Sequence, residues 1–92
     1  MSGYGGQSPP EFKDNMWYVY IIKCFDNDLY TGCTSDLKDR IYRHTSGHVP
    51  ATKERRPIEL KNYFAFNDKY KAFEFEKYLK SGSGRAFIKK HF

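Results

Sequence analysis

Five side chains of the sequence have types and an order that suit chemistry on a phosphate. Tyr20 and Tyr30 lie ten residues apart, and Arg40 follows after ten more. His44 comes one helical turn after Arg40, and Glu76 lies in a later segment. A guanidinium can bind a phosphate. Phenol, imidazole and carboxylate groups can position water, move protons or hold a divalent ion. We therefore treat the first four residues as a candidate constellation and Glu76 as a carboxylate that could join it.

The two tyrosines fall in segments that predict a β-hairpin. Residues 17–22 are aromatic or β-branched throughout, which is typical of a strand. Residues 29–31 predict a second, short strand. Between them, residues 26–28 are Asp-Asn-Asp, a turn-forming cluster. We expect the two strands to pair and to bring both tyrosines into one sheet.

Arg40 and His44 fall in a predicted helix over residues 37–45. Thr34 or Ser35 is expected to cap its first turn, and a glycine soon after residue 45 is expected to end it. Residues four apart on a helix share one side. Arg40 and His44 should therefore point in similar directions.

The rest of the chain completes the predicted fold. A loop is expected over residues 48–57, a third strand over 58–66 and a helix over 69–80. The Ser-Gly-Ser-Gly run at 81–84 is expected to break that helix, and residues 85–90 predict a short final helical segment. The expected fold class is α+β. It is a small three-stranded antiparallel sheet flanked by helices, in the order β-β-α-β-α-α.

Length and composition indicate one small domain. The chain has 92 residues, and its aromatic content of 18% can build a compact core from few side chains. Residues 1–15 are rich in glycine and proline and predict a flexible N-terminal arm, which leaves residues 16–92 as the domain. Neither a membrane span nor a secretory signal is visible in the sequence.

The two cysteines, Cys24 and Cys33, favour a cytoplasmic protein with free thiols, because secreted domains of this size usually carry more cysteines. Together with His44 and His48 they also invite a zinc interpretation. The cysteine spacing is not that of a zinc knuckle, so packing of small apolar thiols is the favoured alternative.

The chain resembles the GIY-YIG nuclease superfamily over about residues 16–90. Tyr18-Val19-Tyr20 stands where the family has Gly-Ile-Tyr, and Tyr30-Thr31-Gly32 stands where it has Tyr-Ile-Gly. The arginine of the following helix and the glutamate of the helix after the third strand complete the ordered set. The likeness is strongest to short stand-alone members related to the N-terminal nuclease domain of the bacterial excision-repair incision subunit.

The resemblance implies a role for each candidate residue. Glu76 would be the ligand of a single Mg²⁺ or Mn²⁺ ion, and Arg40 the cation that stabilises the phosphate. Tyr20 would act as general base or would position the attacking water. Tyr30 would support the same site through its hydroxyl, and His44 would assist proton transfer.

The sequence departs from the family pattern at one position and leaves a choice at another. Some members carry a lysine directly after the second signature glycine, where this chain has Cys33. Lys38 or Lys53 could take that place. Glu74 lies two residues before Glu76, and two such helical positions point about 200° apart, so only one can face the site. The family helix pattern favours Glu76.

A net charge of +5 makes a polyanion a plausible partner. Exposed basic residues are also common on solvated surfaces, which is the alternative interpretation for each of them alone. The candidates for nucleic-acid binding are Lys38, Arg43, Lys53, Arg55, Arg56, Lys80 and Arg85.

The resulting expectation is a divalent-metal-dependent endonuclease that hydrolyses DNA, one strand per active site. Its specificity would be for structure, or weakly for sequence, with branched or damaged DNA as the substrate. A partner protein could supply further specificity, and the chain would be a monomer or a weak dimer. The first alternative is a nucleic-acid-binding module of the same fold with weak or no catalysis. The second is an interaction protein whose basic face docks an acidic partner.

Overall fold

A computed structural model describes residues 16–91 of the protein. The arm predicted at residues 1–15 lies outside the described residues. Within the described range the elements are β1 (Trp17–Lys23), β2 (Leu29–Thr34), α1 (Leu37–Thr45), α2 (Pro50–Lys53), β3 (Glu59–Phe66), α3 (Lys69–Lys80) and α4 (Gly82–His91). The predicted α+β class and element order are confirmed, with the short helix α2 in addition. No helix within residues 16–91 is long and apolar enough to cross a membrane.

The sheet is antiparallel throughout and has the strand order β2-β1-β3. β1 is the central strand, so its residues are covered by helices on both faces, and residues 19–22 are fully buried. Alternate side chains of a strand point to opposite faces. Val19 and Ile21 therefore share one face, where they join the core formed with α3 and α4. The fully or nearly buried members of that core are Val19, Ile21, Ala72, Leu79 and Ile88.

The cap of α1 differs from the sequence-based expectation. Asp36 is the N-cap, because its carboxylate accepts a hydrogen bond from the backbone N–H of Asp39 at 3.1 Å. The prediction of Thr34 or Ser35 as the cap was wrong. Thr34 still belongs to β2, and its hydroxyl accepts from the backbone N–H of Asp36 at 3.0 Å. It thereby fixes the turn that leads into the helix.

The expected loop at 48–57 contains the one-turn helix α2. Pro50 occupies the first turn of α2, where its fixed φ suits a helix and its missing N–H costs nothing. A helix of four residues has too few positions to show hydrophobic periodicity, which is why the sequence pattern did not predict it.

The helix over residues 69–80 ends before the Ser-Gly-Ser-Gly run, as expected, but the glycines of that run lie inside the next helix. α4 begins at Gly82, and only Ser81 separates it from α3. The hydroxyl of Ser81 accepts from the backbone N–H of Gly84 at 3.2 Å and so caps α4. Gly84 is buried against α3: a Cβ there would overlap the carbonyl oxygen of Tyr78 and lie 2.5 Å from the Cα of Leu79. Gly84 is thus required for close helix packing rather than for a chain break.

We predict that Gly84→Ala destabilises the protein by about 1–3 kcal/mol, because the added methyl group must push α4 away from α3. Gly82→Ala is the matched control, since nothing lies within 4 Å of a Cβ at that position. This control should be neutral or should stabilise the helix by roughly 0.5–1 kcal/mol. Urea denaturation of both variants measures the difference, and equal effects would contradict this account of α3–α4 packing.

Candidate active site

Tyr20 reaches the site by crossing the edge strand β2. It lies on the central strand, and its partner in the β1–β2 register is Gly32. A Cβ at Gly32 would overlap the phenol oxygen of Tyr20 and lie 2.9 Å from its Cε2. The ring therefore lies directly over the glycine. Gly32 is needed because any side chain at this position would occupy the space of the phenol.

A buried chain of three polar side chains lies beneath α1 and α2. The Tyr20 hydroxyl is 2.8 Å from Nε2 of His44, and Nδ1 of His44 is 2.7 Å from Oγ1 of Thr52. All three residues are 0% exposed. The Tyr30 ring packs beside them, with its centroid 5.3 Å from the His44 ring and 6.5 Å from the Tyr20 ring. Tyr20, Tyr30 and His44 are thus brought together in the structure.

Burial controls the ionisation of both titratable groups in this chain. It raises the pKa of Tyr20 to about 12, although the nearby Arg40 guanidinium opposes the shift. It lowers the pKa of His44, and the positive charge of Arg40 lowers it further. Near neutral pH, Tyr20 is therefore a protonated phenol and His44 a neutral imidazole. Tyr20 of the free protein is a poor general base, so its hydroxyl is better suited to orient water or a phosphate oxygen.

Arg40 and Glu76 bring opposite charges near the same two groups. Burial raises the pKa of both Tyr20 and Cys33; the charge of Glu76 adds to this rise, and Arg40 opposes it. Arg40 lies on α1 and Glu76 on α3. Both charges are therefore close enough to Tyr20 and Cys33 to influence their ionisation.

The helix α3 presents Glu76 and Glu74 differently. The Glu76 side chain is only 22% exposed and pairs with Lys80 at 2.9 Å through Oε2, whereas Glu74 is exposed. The burial pattern therefore agrees with the choice of Glu76 as the candidate metal ligand.

The donor set around Glu76 fits a hydrated hard cation rather than zinc. Among residues 16–91, no three His, Cys, Asp or Glu side chains come together as a metal site. Both ring nitrogens of His44 already have partners, and Cys24 is a buried free thiol. Mg²⁺ commonly binds through one or two carboxylates and keeps several water ligands. A single, partly exposed carboxylate such as that of Glu76 suits this mode.

Arg55, one of the candidates for nucleic-acid binding, also supports the fold. Its guanidinium is 2.9 Å from the Asp28 carboxylate and 3.7 Å from that of Asp26. Its carbonyl oxygen accepts a hydrogen bond from the N–H of Phe25 at 3.0 Å. These contacts tie the segment after α2 to the β1–β2 turn.

Arg56 packs against the turn after α1. Its Nε donates to the carbonyl oxygen of Lys53 at 3.0 Å. Gly47 adopts a φ of 81°, and a Cβ there would lie 2.8 Å from the Arg56 guanidinium carbon. The guanidinium therefore covers the glycine, while the Arg56 residue as a whole stays exposed.

The other basic candidates lie on the surface. Arg43 pairs with Asp39 at 2.8 Å on an exposed face of α1. Lys38, Lys53 and Arg85 are exposed on three different helices. Binding of nucleic acid by this set stays a prediction.

Thr52 is the site residue that sequence reasoning missed. It lies in a segment whose lysine and arginines were considered only as candidates for nucleic-acid binding. No regular spacing in the sequence relates Thr52 to Tyr20. Its contact with His44 depends on α2 folding back onto α1. The only signal in the sequence was the proline at position 50, which favours a helix start two residues earlier.

The fold and this site define a small α+β domain of the nuclease type. The chain belongs to the GIY-YIG family, since the model of the GIY-YIG catalytic domain matches residues 16–90. It is 35% identical to a UPF0213 protein of Pediococcus acidilactici over 80 residues, which cover 84% of this chain and 82% of the relative. It is 41% identical to a UPF0213 protein of Staphylococcus haemolyticus over 73 residues, 78% of this chain and 89% of the relative.

A solved structure has a similar fold. The solution NMR structure of a UPF0213 protein from Bacillus halodurans matches with a TM-score of 0.53 and 35% sequence identity. The match covers 82% of this chain and 83% of the other. The likeness supports the family assignment for most of the chain.

We predict that the stabilising effect of the Tyr20 hydroxyl declines at alkaline pH. An unfolded phenol ionises near pH 10, whereas Tyr20 in the folded protein resists ionisation up to about pH 12. The unfolded state therefore loses its proton first, and the stability due to Tyr20 falls as pH rises from 10 towards 12. Urea denaturation should show the gap between wild type and Tyr20→Phe narrowing by about 1 kcal/mol per pH unit above pH 10.

Tyr42→Phe is the control for this experiment, because it removes an exposed hydroxyl from α1. The difference in unfolding free energy between Tyr42→Phe and wild type should change less between pH 10 and pH 12. A constant gap between wild type and Tyr20→Phe would mean that the phenol is not held in its neutral form by burial.

Proposed function

We propose that the protein is a divalent-metal-dependent endonuclease that hydrolyses phosphodiester bonds in DNA. One observation carries the proposal. The buried Tyr20–His44 pair, 2.8 Å between its polar atoms, lies near the charges of Arg40 and Glu76, which both act on the Tyr20 phenol. A buried neutral pair beside two opposite charges is a costly arrangement for packing alone, and it suits a site that must orient both a phosphate and a water molecule.

Arg40 and Tyr20 have complementary tasks in this proposal. The Arg40 guanidinium binds the phosphate oxygens and stabilises the negative charge that develops as water attacks phosphorus. The Tyr20 hydroxyl orients that water or a phosphate oxygen. As the new bond to phosphorus forms, the bond to the leaving sugar oxygen breaks. The attacking water loses a proton and the leaving oxygen gains one.

Glu76 is the residue proposed to hold the metal ion, Mg²⁺ or Mn²⁺. A bound ion would supply Lewis-acid polarisation of the phosphate and would offset its charge. Lys80 pairs with Glu76 at 2.9 Å and would contact the nucleic acid backbone beside the same site. Cys33 adjoins this site in place of the lysine of some family members.

The proposed substrate and assembly follow from the single site. One active site cuts one strand at a time. We propose specificity for structure, as in branched or damaged DNA, or a weak preference for sequence. A second copy or a partner protein would add specificity. We propose a cytoplasmic location, in keeping with the free thiols.

We predict that Glu76→Gln lowers the nicking rate about 100-fold or more, because it removes the metal-binding charge while keeping the shape of the side chain. Nicking of supercoiled plasmid and of a labelled branched duplex, with Mg²⁺ or Mn²⁺ at low salt, provides the measurement. Glu74→Gln is the matched control, since it makes the same charge change two residues away on the exposed side of α3. Its rate should stay within about twofold of wild type.

Arg40→Ala extends the test to the phosphate-binding role and should reduce cleavage about as strongly. Cleavage that survives Glu76→Gln would refute the site assignment. DNA bound equally by wild type and both site variants, without cleavage by any of them, would establish the binding-module alternative.

A further inference from the structure

We propose that Thr52 is a positioning residue that sets the tautomer of His44. In this arrangement the Thr52 hydroxyl donates to Nδ1 of His44, and the Nε2–H of His44 donates to the oxygen of Tyr20. The Tyr20 proton is then turned away from His44, towards an acceptor on the Glu76 side of the site. The tautomer itself does not depend on the proposed nuclease function, although its effect on cleavage does.

The proposal begins from a count of protons in the buried chain. Two hydroxyl groups and one neutral imidazole carry three polar hydrogens, but the chain Tyr20–His44–Thr52 has only two internal hydrogen bonds. A neutral imidazole donates through one nitrogen and accepts through the other. The two bonds must therefore run in the same direction along the chain. Either the hydroxyl proton of Thr52 or that of Tyr20 is therefore left without an acceptor among these three side chains.

The surroundings of the two ends decide the direction. Thr52 lies at a closed end, 0% exposed on α2, and its hydroxyl has no hydrogen-bond partner among residues 16–91 other than His44. A proton left over at this end would be an unsatisfied buried donor. Tyr20 is equally buried, but at this end the charges of Arg40 and Glu76 act on its phenol. The remaining proton therefore has an acceptor only on this side, in the Glu76 carboxylate or in a ligand that Arg40 binds.

The position of Thr52 is fixed by its own helix turn. Its backbone N–H donates to the carbonyl oxygen of Val49 at 3.1 Å, and its carbonyl oxygen accepts from the N–H of Arg55 at 2.9 Å. The threonine backbone is thus held on both sides. The hydroxyl is therefore held close to His44, since threonine has a single side-chain torsion with restricted rotation.

The direction of the two bonds matters for Tyr20. A phenol whose oxygen accepts from His44 can offer its own proton to the attacking water or to the phosphate, which is the orienting task proposed above. With the bonds reversed, the Tyr20 proton would be committed to His44 and the phenol could only accept. Thr52 therefore acts through His44 and makes Tyr20 a donor towards the substrate.

Two-bond ¹H–¹⁵N correlation spectra test the tautomer directly. In wild type near pH 8, the His44 signals should be those of a neutral ring with its proton on Nε2. Thr52→Val keeps the shape of the side chain but removes the donor, so the ratio of Nε2–H to Nδ1–H forms should fall by about fivefold or more. Thr52→Ser keeps the hydroxyl and should retain the wild-type tautomer.

Cleavage kinetics of the same variants test the consequence. Thr52→Val should lower kcat with little change in KM, and Thr52→Ser should recover most of the loss. A role in stability alone would shift the urea midpoint of Thr52→Val and leave the tautomer unchanged, which would overturn the proposal. A wild-type proton on Nδ1, or a doubly protonated ring, would overturn it as well. Nε2–H signals in a protein that cuts no DNA would support the tautomer and reject the nuclease function separately.

Discussion

The hydrogen bond between Tyr20 and His44 is the constraint on which the rest of the site depends. Both polar atoms are removed from water, so each must find a partner inside the protein or destabilise the fold. Tyr20 can reach His44 only by crossing β2 where Gly32 leaves space. His44 can meet it only from the buried side of α1. The central strand, the edge glycine and the first helix are therefore fixed relative to one another by a single contact.

The next layer of the structure serves to keep α2 over this contact. Arg55 ties the chain after α2 to the β1–β2 turn through Asp28 and Asp26. Ion pairs this exposed contribute at most about 1 kcal/mol each. The backbone hydrogen bond from Phe25 to the carbonyl oxygen of Arg55 adds a contact that salt does not screen. An arginine that the sequence marks only as a binding candidate thus also helps to hold Thr52 in place.

Much of this fold could be predicted from the sequence because its longer elements show clear patterns. The strand over residues 17–22 and the helix over 69–80 have aromatic, β-branched or periodic apolar positions, and both were predicted to within one residue. The resemblance to the GIY-YIG superfamily was also informative. It implied that Tyr20, Tyr30 and His44 would share one site, and their rings do lie together.

The features that could not be predicted depend on contacts between distant or very short segments. Gly84 looks like a chain break in the sequence, and only the approach of α4 to α3 shows that it serves packing. Thr52 lies in a helix too short to have a period, and its role requires the fold of the whole segment after α1. The cap of α1 moved to Asp36 because β2 runs further than its apolar residues suggested.

We propose that Glu76 and the edge of β2 form one metal-dependent site. A titration of the ¹⁵N-labelled protein with Mn²⁺, followed by paramagnetic broadening of amide signals, tests it most directly. The account predicts that the signals of Glu76, Gly32 and Cys33 broaden first, and that Glu76→Gln abolishes this selectivity while Glu74→Gln preserves it. Broadening centred instead on the acidic turn at residues 26–28, unchanged by Glu76→Gln, would contradict the account.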